Sequence, residues 1–161
     1  MRTLVIGAGA VAALIGSLGN GVAQAATVDD VTAPITAFLD AFDKGDLKTA
    51  AAQTTGSLTI IDEVAPYTWT GPNGLTGWAG DLIGGDAKAG LSGESVAIST
   101  PSRIETSGDN AYVVVPAVYT FKDHGAPMRE VAQMTFALHK DTGGWKIAAW
   151  TWTGPKASPA G

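Results

Sequence analysis

Apolar residues recur along this chain first on a helical spacing and later on an extended one. Val31, Ile35, Phe38, Leu39 and Phe42 lie at i, i+4, i+7, i+8 and i+11, the single stripe of an amphipathic helix. Thr27, Asp29 and Asp30 stand where a capping side chain and negative charge favour a helix N-terminus. Pro34 lacks an N–H, which places the start of regular helix about one turn before it. Lys44-Gly45 ends this helix, and Asp46 caps a short second one from Leu47 to about Gln53. Leu58 to Asp62 forms a short β-branched strand. Gly71-Pro72-Asn73 then opens a third helix whose stripe is Leu75, Trp78, Ala79, Leu82 and Ile83, with Gly84-Gly85 closing it.

From about Glu94 the period changes. Four extended runs, 94–106, 110–122, 127–139 and 145–153, are separated by turn chemistry at 107–110, 123–127 and 141–144. They exceed an ordinary strand, so the sheet must be long and bent; Pro101 and Pro116 mark edges or bulges. Helices followed by a meander make an α+β plan: three helices on one face of a long, bent antiparallel sheet, in one domain.

Residues 1–25 stand apart from that pattern. Arg2 supplies a positive charge, Leu4 to Leu18 is an apolar run, and Ala23-Gln24-Ala25 is a small-x-small cleavage site, the order of a secretory signal peptide. The run is shorter than the roughly 20 residues a spanning helix needs. A competitor exists, because Gly7-Ala8-Gly9-Ala10-Val11-Ala12 follows a strand-like Val5-Ile6 and precedes Asp29 as a dinucleotide loop would. That loop needs a βαβ unit around it, and long strands in succession do not supply one. The chain therefore divides into a signal peptide at 1–25, a folded domain at 26–154 and a disordered tail at 155–161. Export is expected, with no membrane association after cleavage.

Composition narrows the chemistry. The 161 residues are 45% hydrophobic and 16% charged, enough apolar content for a real core. A net charge of −5 repels phosphate backbones, so no nucleic-acid partner is expected. Cysteine is absent, which removes disulfides, thiolate metal sites and a Cys nucleophile. His124 and His139 have no second ligand at metal spacing, and no metal or cofactor is expected. Gly90-Leu91-Ser92-Gly93 lacks the second half of a nucleophile elbow.

Four segments in order carry a family resemblance: Phe38 to Leu47, a helix–Gly-Asp–helix corner; Ile60-Ile61-Asp62; Gly71 to Gly74; and Gly143 to Trp150. Together the chain resembles the nuclear transport factor 2-like superfamily, specifically its SnoaL-like branch, over about residues 27–153. The resemblance implies a cone-shaped roll with a pocket between sheet and helices, and commonly a homodimer. The same cone serves isomerases, cyclases, dehydratases, ligand carriers and assembly modules, so fold alone leaves function open.

In the ketosteroid isomerases of that superfamily, a carboxylate base works beside a Tyr and a protonated Asp that hold the developing enolate. Asp62 falls at the base position, whereas Phe38 and Met134 stand at the two donor positions and can donate nothing. Asp62 alone remains, either as a general base beside Glu63 or as a strand-end carboxylate capping a backbone group. No Arg or Lys occurs from 49 to 87 to cancel a raised pKa. Tyr67, Trp69 and Trp78 surround the Gly71-Pro72 turn and make either an aromatic wall or core. By alternation Glu130, Met134 and Phe136 look into the cone, as do Ile147, Ala149 and Thr151; Gln133, Thr135, Trp150 and Trp152 face outward and would form a dimer surface. Two functions follow: an exported module binding a small apolar molecule or holding a dimer, or a lyase or isomerase with Asp62 as base.

Overall fold

The protein is described by a computed structural model over residues 27–161. The leader at 1–25 and its dinucleotide-loop competitor lie outside the described residues.

Three helices come first: α1 (Val28–Asp43), α2 (Leu47–Ala51) and, after two strands, α3 (Gly74–Ala89). A capping box starts α1, with Thr27 and Asp30 each bonding the other's backbone N–H. It sets the helix start at Val28, and Pro34 is carried within the helix. Asp46 caps α2 through the Thr49 N–H. The inner faces of α1 and α3 bury Val31, Ile35, Phe38, Leu75 and Trp78. At Gly74, a Cβ would meet the Leu58 carbonyl oxygen at 2.7 Å, so glycine lets α3 dock directly on the sheet.

The strands are β1 (Thr54–Ile61), β2 (Thr68–Gly71), β3 (Leu91–Ile98), β4 (Arg103–Ser107), β5 (Asn110–Asp123), β6 (Ala126–Asp141), β7 (Gly144–Thr153) and β8 (Ser158–Pro159). They form one sheet in the order β2-β1-β7-β6-β5-β3, with β4 on β5 and β8 on β6. The architecture is α+β, helices covering one face of a long, bent sheet.

Five details correct the sequence reading. The sheet is mixed, because β1 runs parallel to β7 while the other pairs are antiparallel. Glycines 84 and 85 do not end α3; it continues to Ala89 and closes on Gly90 in the left-handed region, φ 74°. The first long run is two strands, β3 and β4, with Pro101 in the gap between them. Pro116 lies opposite that gap: its carbonyl accepts from the Ser99 N–H, so its missing donor faces a place where neither strand is pairing. The tail is ordered enough to pair, with Ser158 beside Arg129 and Pro159 beside Met128.

The fifth correction matters most. β7 follows the register of β6 from Asp141 to Leu138, then slips: Leu138 pairs with Ile147 but Ala137 pairs with Ala149. Ala148 is the extra residue of a β-bulge, and every side chain beyond it changes face. Ala149 and Thr151 therefore turn to the outer face, and Trp150 and Trp152 turn inward. Trp150 is only 2% exposed. The β1–β7 register also breaks, between Thr54 and Thr59, so the irregularity crosses both strands at one level.

Candidate functional site: an acidic, aromatic cavity in the cone

Helices α1 and α3 and the concave sheet enclose a cavity of about 590 Å³. That is within the range of small-molecule pockets, roughly 300–1,000 Å³. Its apolar lining is largely aromatic. Phe42 packs on Trp78 at 4.6 Å between ring centroids, and Trp78 meets Trp150 edge-on at 4.8 Å. Across the cavity Tyr119 stacks on Phe121 at 4.8 Å and stands perpendicular to Trp152 at 6.2 Å. Phe38, Met134, Leu82 and Ile83 complete the apolar walls.

Two carboxylates are fixed by indoles. Asp62, one residue beyond β1, accepts from Trp78 Nε1 at 2.7 Å through Oδ2 and from the Glu63 backbone N–H at 2.6 Å through Oδ1. Glu130 on β6 is 2% exposed and accepts from Trp152 Nε1 at 2.7 Å. An indole N–H satisfies one lone pair without cancelling the charge. The ion pairings among the described residues, Arg103–Glu105 and Asp123–His124, lie elsewhere.

Burial and neighbouring negative charge shift three of the carboxyl groups upward. Burial raises the Asp62 pKa against the opposing bonds from Trp78 and from the Glu63 and Val64 backbone. Both sequence readings of Asp62 thus have their contacts present, and burial outweighs the capping bonds. Glu63 is pushed up to about 7 by burial and then by the Glu130 carboxyl and Asp62. Asp86 rises to about 6, through burial and the charges of Glu94 and Asp62. Burial and the same acidic surroundings raise the Tyr119 phenol, which stays protonated and able to donate.

Of the residues singled out by sequence, Asp62, Phe38, Trp78, Glu130 and Met134 come together on the cavity wall. Phe136 is fully buried behind it. Trp69 is core, packed beside Gly77 with its Nε1 donating to Asp81 on α3 at 2.8 Å. Tyr67 is 59% exposed on the β1–β2 loop and lines nothing. Ala149 and Thr151 leave the cavity with the bulge; Trp150 and Trp152 replace them, while Gln133 and Thr135 stay on the outer face without those indoles.

Asp86, Glu94, Tyr119 and Phe121 were not anticipated, and Glu63 was named only as the neighbour of Asp62. Tyr119 and Phe121 share a parity with Val113, Val115 and Ala117, so counting by two along β5 finds them. Asp86 lies on the part of α3 beyond Gly84-Gly85, and two consecutive glycines hide that extension.

No family model and no curated protein matches the sequence. Solved structures do resemble the fold. A ketosteroid isomerase-like protein from Erwinia carotovora atroseptica matches with a TM-score of 0.63 and 20% identity, over 80% of this chain and 96% of that one. A nuclear transport factor 2-like superfamily protein from Salmonella enterica matches at 0.64 and 18%, over 83% and 94%. A hexachlorocyclohexane dehydrochlorinase from Novosphingobium barchaimii matches at 0.68 and 15%, over 82% and 89%.

Proposed function

We propose, for a chain with the nuclear transport factor 2-like fold, that the cone binds one small, mainly apolar organic molecule. The observation that carries this is the aromatic-lined cavity of about 590 Å³. The sequence of residues 1–25 supports an exported form, with a mature N-terminus at Ala26 or within two residues of it. The neutral fluorophore N-phenyl-1-naphthylamine should bind at one equivalent and quench tryptophan emission, since Trp78, Trp150 and Trp152 line the site. Absence of saturable binding sinks the reading.

A second reading is favoured by one specific arrangement. Asp62 and Glu63 are neighbours, and a carboxyl near 7 suits proton transfer at working pH. Tyr119 lines the same cavity with a proton to donate. Isomerase and dehydrochlorinase names among the resembling structures are compatible with such chemistry without establishing it. In this reading Asp62 is the base, and Asp62→Asn abolishes isomerisation of a β,γ-unsaturated cyclic ketone while leaving N-phenyl-1-naphthylamine binding intact. If wild type and variant are equally inert towards such ketones, the binding reading stands alone.

A further inference from the structure

The polar part of the cavity has one sign. Asp43, Asp62, Glu63, Asp86, Glu94 and Glu130 line it, and Lys156 is the single basic side chain among the described lining residues. Lys156 is exposed on the C-terminal segment, and its ammonium comes within 4.0 Å of none of these carboxylates. Glu130 is the sharpest case. It is almost wholly buried, lines the cavity, and takes its one N–H bond from a neutral indole. Its remaining side-chain neighbour is the Glu63 carboxyl, within hydrogen-bond reach, and no basic side chain among the described residues pairs with it. The chain even closes tightly over it, since a Cβ at Gly154 would collide with Glu130 Oε1 and with Ala132.

A buried carboxylate without a cation is costly; a proton shared with Glu63 relieves that cost only until Glu63 ionises, after which two like charges face each other. The walls nearby are of the kind that stabilise a cation. Trp152, which holds Glu130, stands perpendicular to Tyr119, and Trp78, which holds Asp62, meets Trp150 edge-on. Aromatic faces attract ammonium groups through the ring quadrupole, and desolvation strengthens that attraction. A neutral apolar occupant would gain the aromatic walls but leave the carboxylates without a partner. An anionic occupant would meet like charge on several sides.

We propose that the cavity takes a hydrophobic cation: an aromatic or aliphatic body lying among Phe42, Trp78 and Trp150, with a protonated amine or quaternary ammonium seated towards Glu130 and Glu63. This inference rests on the reading of the cavity as a small-molecule site and gives that site its chemical class. No bond is made or broken.

The test uses three probes with one naphthylmethyl body. They are (1-naphthylmethyl)trimethylammonium, its uncharged carbon isostere 1-neopentylnaphthalene, and 1-naphthylacetate, each titrated against the described domain's tryptophan fluorescence. The ammonium should bind about tenfold or more tighter than the isostere, and the acetate weakest. Glu130→Gln keeps an acceptor for Trp152, and Glu63→Gln lies at the rim; each should reduce the ammonium-over-isostere ratio by about threefold or more. If isostere and ammonium bind equally, or the acetate binds best, the cation inference is overturned while the small-molecule reading survives. If both Gln variants fold and leave the ratio unchanged, the assigned seat is wrong. If none of the three binds, both readings fall together.

Discussion

Strands β6 and β7 are hydrogen-bonded neighbours from Gln133 to Asp141, yet side-chain alternation carries different information on each. On β6 it holds throughout: Glu130, Ala132, Met134, Phe136 and Leu138 are buried, while Val131, Gln133 and Ala137 are exposed. On β7 it holds from Trp145 to Ile147 and then reverses at Ala148, so that Trp150 is buried in its turn. A period of two is a property of uninterrupted pairing, and one inserted residue changes the meaning of every later position. The functional consequence is direct, because the bulge delivers two indoles to the cavity and one of them holds Glu130.

Slipping β7 by one residue beyond the bulge is the harshest way to break this contrast. Insertion of one alanine between Ala149 and Trp150 would shift the alternation beyond the bulge by one residue and turn Trp150 and Trp152 outward. Truncating one buried aromatic costs about 3–5 kcal/mol, against a total domain stability of about 5–15 kcal/mol. The insertion should therefore abolish cooperative unfolding in a denaturant melt. Trp150→Glu should fail in the same way, since it places a charge at a site 2% exposed. A folded, soluble Trp150→Glu protein would show that this indole lies on the outer face after all.

A milder change separates the indole's bulk from its donor. Trp152→Phe keeps an aromatic ring and removes the N–H that reaches Glu130 at 2.7 Å. A hydrogen bond to a charged group contributes about 1.5–3 kcal/mol, so the loss should approach 2 kcal/mol by chemical denaturation. A Phe variant as stable as the wild type would mean that Glu130 is protonated or finds another donor.

The acidic cavity also gives a pH signature smaller than either change. Glu63 has a reference value of 4.5 and is pushed up to about 7 in the fold, first by burial and then by Glu130. The folded state thus holds this proton more tightly than the unfolded chain. The stability it contributes is fully present below about pH 4.5 and is lost as pH rises through about 7. Asp86, raised to about 6, and Asp62 act with the same sign. The melting temperature should fall between pH 5 and pH 8, and Glu63→Gln should flatten the upper part of that fall. An unchanged profile in the variant would remove Glu63 as its source.

Much of this was legible in the sequence, for reasons that can be named residue by residue. The stripe from Val31 to Phe42 and the alternation along 130–138 are strong because each follows an element long enough to repeat its own period. Asp62 was singled out through the family resemblance, in which a strand ending in Asp matches Ile60-Ile61-Asp62. The tryptophans of β7 were misplaced because a bulge exists only as a relation between strands, and the sequence Ile147-Ala148-Ala149-Trp150 contains no glycine or proline to announce it. Asp86 was missed because helix propensity counts Gly84-Gly85 as an end. The helix instead runs through both glycines to Ala89 and closes on Gly90. Glu63 was named only as the neighbour of Asp62, and its distinction comes from Glu130, far away in sequence.

The smallest expected effect belongs to the strand on which alternation held. Val131 is 55% exposed on the outer face of β6, beside Gln133 and opposite Val118 of β5. A homodimer through this face is proposed here on those residues, without the two indoles that the sequence had assigned to it. An isologous contact repeats each substitution twice, so Val131→Glu places two carboxylates close to the two-fold axis. The variant should fold with stability within about 0.5 kcal/mol of the wild-type protomer, as exposed substitutions usually do. In sedimentation velocity at tens of micromolar, on the order of common dimer affinities, wild type should run as a dimer and Val131→Glu as a monomer. A wild type already monomeric there removes the dimer. An equally dimeric variant moves the interface away from this face, and a destabilised variant would mean that alternation on β6 had also been misread.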